Sequence, residues 1–213
     1  MDFIKKEISD YANLFTEKES DILKDLNRET WKNVLQPRML SGHLQGKLLS
    51  TISKMITPNK IIEIGTYTGY SALCLAEGLN KSGILHTIDC NEEYISVAKK
   101  YFIKSKFKKN IKQFYGNAIE IIPKLKHKYQ LAFIDADKEN YSNYYDLLFD
   151  KIELGGYIIA DNVLWSGKVL NETKDKDTIA IQKFNKKIYN DKKIETLLLP
   201  IRDGIMIGKK IAN

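Results

Sequence analysis

Cysteine, proline and tryptophan are scarce in this chain, at two, four and two residues among 213. Two cysteines cannot build a disulfide scaffold. Cys74 and Cys90 lie in helix-like and strand-like stretches without metal-ligand spacing, so both are expected as buried free thiols. The three histidines, His43, His86 and His127, also lack ligand spacing, and structural roles are expected for them. No apolar run approaches the roughly 20 residues of a membrane span. The first residues, Met1 to Glu7, lack the apolar segment and cleavage site of a secretory leader. A soluble, cytoplasmic protein is the expectation. Two nucleotide signatures are missing as well. Counting from Gly65, a G-x-G-x-x-G loop would need glycines where Tyr67 and Tyr70 stand, and no G-x-x-x-x-G-K-[ST] occurs anywhere. A dinucleotide pyrophosphate and a nucleoside triphosphate are therefore poor candidates.

No internal repeat, low-complexity tract or linker divides the chain, and its length suits one domain. We expect a single unit over 1–213, made of a helical extension (1–57) and an α/β core (58–213). The net charge is +7, from 34 Lys and Arg against 27 Asp and Glu, with lysine clusters at 99–100, 104–109, 124–128 and 186–187. Such clusters are first expected to be solvated helix faces and loops, the alternative being a surface that attracts nucleic acid or an acidic substrate.

The stretch around which the chain is arranged is Lys60-Ile-Ile-Glu-Ile-Gly-Thr-Tyr-Thr-Gly-Tyr-Ser71. An apolar run broken by one acid meets Gly65 and Gly69 and then a helical pattern at Leu73, Leu75, Ala76 and Leu79. That is strand, tight turn and helix, the opening unit of a parallel sheet. Further strands are expected at 84–88, 111–115, 131–134 and 157–160, each apolar and followed by a polar turn, with helices between. Near-continuous apolar strands of this kind belong to a parallel sheet covered on both faces. Segments 195–199 and 204–208 are joined by a connection too short for a crossover helix, so the last strand must run antiparallel. The fold class is thus a Rossmann-like, doubly wound, seven-stranded α/β sheet. Ahead of it, Thr16-Glu-Lys-Glu19 has capping-box spacing and is expected to start a helix. Another helix places Leu44, Leu48, Leu49, Ile52, Met55 and Ile56 on one face and ends before Pro58.

In sheets of this class ligands sit beyond the carboxyl ends of the strands. Glu63 within the first strand and Asp89 at the end of the second suit a ligand with a cationic end and a ribose, Asp89 following Gly65 at about the interval seen for ribose-binding acids. The fourth strand delivers Asp135-Ala-Asp137-Lys138 and the fifth Asp161-Asn162. Asp135, Asp161 and Asn162 offer three oxygens suited to a hard cation with open positions. Asp and Asn at strand-to-helix turns are also common helix caps, and the residues alone leave both readings open. Tyr144 and Trp165 could wall a planar phenol or simply fill the core. Arg202 could meet an anionic group or serve as a surface arginine.

Taken together, EIGTYTGYS, IDCNEEY, FIDADKENYSNYY and ADNVLW resemble the small class I S-adenosylmethionine-dependent O-methyltransferases related to the caffeoyl-CoA and catechol enzymes, from about Met39 to the C-terminus. The resemblance implies S-adenosylmethionine as cofactor, contacted at Met39, Ser41, Glu63, Gly65, Ser71, Asp89, Ala118, Asp135 and Asp137. Among these, Ser71 and Ala118 also suit a helix cap and core packing. It implies a divalent cation, magnesium before calcium or manganese, on Asp135, Asp161 and Asn162, with Lys138 as catalytic base and Trp165 near substrate. It further implies a homodimer in which the N-terminal extension takes part. The leading expectation is methylation of a vicinal dihydroxy aromatic molecule, with methylation of hydroxylated uridine in transfer RNA and cofactor binding without catalysis as the alternatives. A mere binding module has no need of both Lys138 and the cation ligands.

Overall fold

A computed structural model describes residues 4–213 of the chain. Seven strands form one sheet in the order β3-β2-β1-β4-β5-β7-β6. They are β1 (Lys60–Ile64), β2 (Ile84–Asp89), β3 (Ile111–Tyr115), β4 (Tyr129–Ile134), β5 (Ile152–Ala160), β6 (Ile194–Leu199) and β7 (Ile205–Lys210). The first five are parallel. β7 lies between β5 and β6 and is antiparallel to both. The reversed final strand expected from the short 199–204 connection is therefore present.

Successive side chains of a strand face opposite sides of the sheet, and both sides are buried. Ile61, Leu131 and Phe133 join a core built with α2 (Asp21–Asn33), α3 (Gly42–Ile56), α4 (Tyr70–Ala76) and α5 (Glu92–Lys104). Ile62, Ile64, Ala132 and Ile134 join the opposite core with α6 (Ala118–Ile121), α7 (Tyr141–Phe149) and α8 (Lys176–Asn190). The helix α1 (Lys6–Leu14) buries none of its residues.

Two local expectations need correction. Helix α2 begins at Asp21, with Ser20 at the cap position, and Thr16 donates its hydroxyl back to Ala12 O at 2.6 Å. The capping-box spacing at Thr16 and Glu19 is thus a coincidence, because Thr16 satisfies the C-terminal end of α1 instead. Cys74 is buried within α4, but Cys90 is exposed, since it stands one residue past the end of β2, where the chain has left the sheet.

The strand order fixes the place of the site. From β1 the chain winds outward to β2 and β3, then returns to lay β4 on the other side of β1. The crevice at such a switch point, beyond the carboxyl ends of β1 and β4, is where doubly wound sheets bind ligands. Ladder-like hydrogen bonds run past the strand ends there: Gly65 N–H donates to Ile88 O at 2.9 Å, Asp135 N–H to Ile64 O at 2.8 Å and Asp161 N–H to Ile134 O at 3.0 Å. Those bonds align three strand tips on one edge.

Candidate active site

A cleft of about 880 Å³ opens over these tips. At one end its wall is formed by Gly65, Tyr67, Asp89, Cys90, Asn117 and Ala118. Gly65 must be glycine: its φ is +96°, and an added Cβ would lie 2.0 Å from the carbonyl oxygen of Asp135. The absent side chain lets the β1 turn touch the β4 tip. Tyr67, held at φ +47°, donates its N–H to Asp89 Oδ2 at 2.7 Å, and Asn91 N–H donates to Asp89 Oδ1 at 2.9 Å. Two backbone donors thus aim the Asp89 carboxylate. Tyr144 also lines the cleft, but its hydroxyl donates to Asp137 Oδ1 at 2.5 Å, with Cys90 and Asp89 close by. It stands on the Asp89 side of the cleft, whereas Trp165 stands beside Lys138.

Beneath the β1 turn lies a buried polar chain. Thr66 and Thr87 share a hydrogen bond of 2.5 Å, and Thr87 donates to Glu63 Oε2, also at 2.5 Å. Glu63 Oε1 has no hydrogen-bond partner among the described residues. Burial pushes the Glu63 carboxyl up to about 8, against the opposing pull of the Ser71 and Thr87 hydroxyls. Glu63, Ser41 and Ser71 are all buried. None of the three lines the cleft, whereas Met39, Gly65, Asp89, Ala118, Asp135 and Asp137 are on its wall.

At the other end the tips of β4 and β5 converge. Lys138, only 9% exposed, places its ammonium 3.3 Å from Asp135 Oδ1, 2.8 Å from Asn162 Oδ1 and 2.7 Å from the Tyr141 hydroxyl. Tyr141, fully buried, in turn donates to Asp161 O at 3.0 Å. Asn162 adopts φ +58°, which turns its N–H onto Asp161 Oδ1 at 2.7 Å and its Nδ2 toward Asp203 Oδ2 at 3.3 Å. The Asn162 amide is oriented by these partners, with its oxygen facing the cleft. Burial first, and the Asp135 charge second, push Asp161 up to about 7. Two carboxylates forced together in a buried site raise each other's energy unless positive charge stands between them.

These residues fit a divalent cation. Asp135, Asp161 and Asn162 supply hard oxygen donors of the type Mg²⁺ takes, around a place where an ammonium already bridges two of them. No group of three or more His, Cys, Asp or Glu residues suited to a metal occurs among the described residues. Here the third oxygen comes from an amide. Neither Asp135 nor Asp161 caps a helix, so the capping alternative fails for both.

The O-methyltransferase family model matches residues 12–211. The chain belongs to that family. This O-methyltransferase is 32% identical over 206 residues to a caffeoyl-CoA O-methyltransferase of Stellaria longipes, covering 91% of this chain and 85% of that one. It is 33% identical over 211 residues to a probable caffeoyl-CoA O-methyltransferase 2 of Dictyostelium discoideum, covering 96% and 91%. Among solved structures it resembles the SAH-bound Podospora anserina methyltransferase, with a TM-score of 0.89, 25% identity and coverage of 96% and 94%. The O-methyltransferase TomG of Streptomyces achromogenes in complex with SAM shares the fold at a TM-score of 0.89 and 22% identity. Membership makes the chain an S-adenosylmethionine-dependent O-methyltransferase.

Several residues that orient the site of this O-methyltransferase are not among those the sequence singles out. Gln45, on α3, donates Nε2 to Asp161 Oδ2 at 2.7 Å across a sequence separation of 116. Tyr141, Asp203 and Tyr67 likewise orient site residues. Nothing local in the sequence marks Gln45 or Asp203, since their partners are distant along the chain. Tyr67 and Tyr141 lie within EIGTYTGYS and FIDADKENYSNYY, but neither motif says which site residue each tyrosine will hold. Arg202 lines the cleft, with one guanidinium nitrogen donating to Leu40 O at 3.2 Å and Gln45 Oε1 at 3.1 Å.

Proposed function

We propose that this enzyme methylates one of two adjacent hydroxyls of a small aromatic molecule chelated by a divalent cation. The observation that supports this reading is the meeting of Asp135, Asp161 and Asn162 around the Lys138 ammonium at the end of the cleft farther from Asp89. Asp135, Asp161 and Asn162 would hold the cation, which when bound supplies positive charge that favours the ionised acceptor hydroxyl and fixes the molecule's orientation. S-adenosylmethionine supplies the methyl group.

The chain's own residues perform the remaining work. In its neutral amine form Lys138 Nζ takes the acceptor's proton as general base and becomes the ammonium, with the Tyr141 hydroxyl 2.7 Å away to hold it in place. The Trp165 ring, 5.7 Å from Lys138 Nζ, forms an aromatic wall at this end. Asp89, aimed by Tyr67 and Asn91, accepts from the ribose, with Gly65 letting the cofactor approach the backbone. The curated relatives named for caffeoyl-CoA are consistent with a catechol-like acceptor.

The deciding experiment is a methyl-transfer assay on a panel of catechols beside unmodified and hydroxyuridine-containing transfer RNA, with and without EDTA. Transfer to catechols that EDTA abolishes is the expected result. Transfer to RNA alone would replace the acceptor, and EDTA-insensitive transfer would overturn the role of the cation.

A further inference from the structure

We propose that Gln45 is a positioning residue of the cation site: α3 reaches over the tip of β5 and uses this one amide to hold the Asp161 carboxylate, with Arg202 bracing it from the β6–β7 turn. The inference rests on the cation reading above.

Gln45 is completely buried on a helix face that otherwise serves the apolar core. A buried amide is costly there unless both ends are bonded. Both ends are. Nε2 donates to Asp161 Oδ2 at 2.7 Å, and Oε1 accepts from Arg202 Nη1 at 3.1 Å. The two partners carry opposite charge, so only one amide orientation is tolerable. Reversal would set an oxygen against a carboxylate and an NH₂ against a guanidinium.

The bracing is built into the backbone on both sides. The neighbouring Gly46 sets the height of α3: a Cβ there would lie 2.6 Å from the Tyr70 ring and 2.8 Å from Cys74 Sγ. Arg202 adopts φ +50° and also donates to Leu40 O, just before α3, at 3.2 Å. Asp161 Oδ1 is already engaged by the Asn162 N–H. With Gln45 on Oδ2, the carboxylate cannot rotate about its own axis. Its remaining lone pairs are presented in one direction, as partners outside the coordination sphere do for metal ligands.

The test uses the full chain and Mn²⁺ as probe, with free Mn²⁺ counted by electron paramagnetic resonance. SAH affinity by calorimetry and the melting temperature are measured on the same samples. Asp161→Asn defines which Mn²⁺ belongs to the site. Gln45→Met, which keeps the volume and removes both bonds, should weaken Mn²⁺ binding roughly tenfold or more while SAH affinity holds. Arg202→Met, which frees only the Gln45 oxygen, should weaken it less. Unchanged Mn²⁺ affinity in Gln45→Met overturns the positioning role. A parallel loss of Mn²⁺ affinity, SAH affinity and melting temperature in both variants also overturns it, since that pattern marks a purely structural side chain. Wild-type protein that binds no Mn²⁺ would instead bring down the cation reading, and the inference with it.

Discussion

At the scale of single residues the site is a set of charges, each held by a partner that leaves it one useful direction. Lys138 is the clearest case, fixed by Asp135, Asn162 and Tyr141 within 3.3 Å. Removing it as Lys138→Ala should lower kcat by a factor on the order of 10² to 10⁴, the usual contribution of a general base, while SAH titrates as before. Unchanged turnover would strip Lys138 of its role. Glu63 makes a pH-dependent statement about stability. Its carboxyl is raised from 4.5 to about 8 by burial, so the folded chain binds the proton more tightly than the unfolded chain does. The Glu63 contribution to stability is therefore full below about pH 4.5 and is lost as the pH rises, levelling off above about 8. His86 acts in the opposite sense, since burial lowers it from 6.5 to about 4, and stability from it is lost as the pH falls through that range. Above pH 6.5 the Glu63 effect is free of this opposition. Urea denaturation of Glu63→Gln without cofactor should show a flatter decline between pH 6.5 and 8 than wild type, and identical slopes would refute the assignment.

At the scale of elements, the site depends on turns held in unfavourable backbone geometry. Tyr67, Asn162, Trp165, Ser166 and Arg202 all have positive φ, and all lie on the cleft or in the loop that follows β5. Non-glycine residues in this region cost of order 1–3 kcal/mol each and persist only where surrounding contacts dictate them. Asp203 is one such contact, accepting from the Ser166 N–H and from Asn162 Nδ2. Asp203→Ala should leave the sheet folded but raise amide hydrogen exchange across residues 162–167, with a loss of turnover; unaltered exchange there would show that the loop holds itself. Gly65 is the converse case, a position where no side chain fits. Gly65→Ala forces a methyl carbon to within 2.0 Å of Asp135 O, so the β1 and β4 tips must part. A loss of about 3 kcal/mol or more is expected in chemical denaturation, together with the loss of SAH binding. None of these demands is stated by a motif. The glycines of EIGTYTGYS announce a tight turn, whereas the sequence marks Asp203 only as part of a short hairpin connection and Arg202 only as a candidate anion contact or surface arginine, because their partners lie about 40 and 160 residues away.

At the scale of the whole molecule, the sheet order turns five separate strand tips into one cleft, and the overall charge of +7 bears on what enters it. A nucleic-acid acceptor would be bound mainly by neutralising phosphates with lysine, and its affinity would fall steeply and linearly in log–log form with salt. A small catechol chelated at Asp135, Asp161 and Asn162 would show little such dependence. Acceptor KM measured between 50 and 400 mM KCl should therefore change by no more than about twofold if the proposed acceptor class is right. A slope of several powers would favour RNA.

What the sequence determined by itself was everything that follows from local pattern: the alternation of apolar strands with helices, the reversed final hairpin, the glycine turn after β1 and the acidic residues at strand ends. Each of these depends on neighbours a few positions apart, and the four motifs in order carried the family. Tertiary structure alone decided that Thr16 closes one helix instead of opening the next, that Cys90 is exposed while Cys74 is not, and that Glu63 and Ser71 do not line the cleft. It alone brought Gln45 to Asp161. Hydrogen bonds between residues more than a hundred positions apart exist only once the sheet has ordered its strands, and a buried amide in a helix carries no local sign of the carboxylate it will meet.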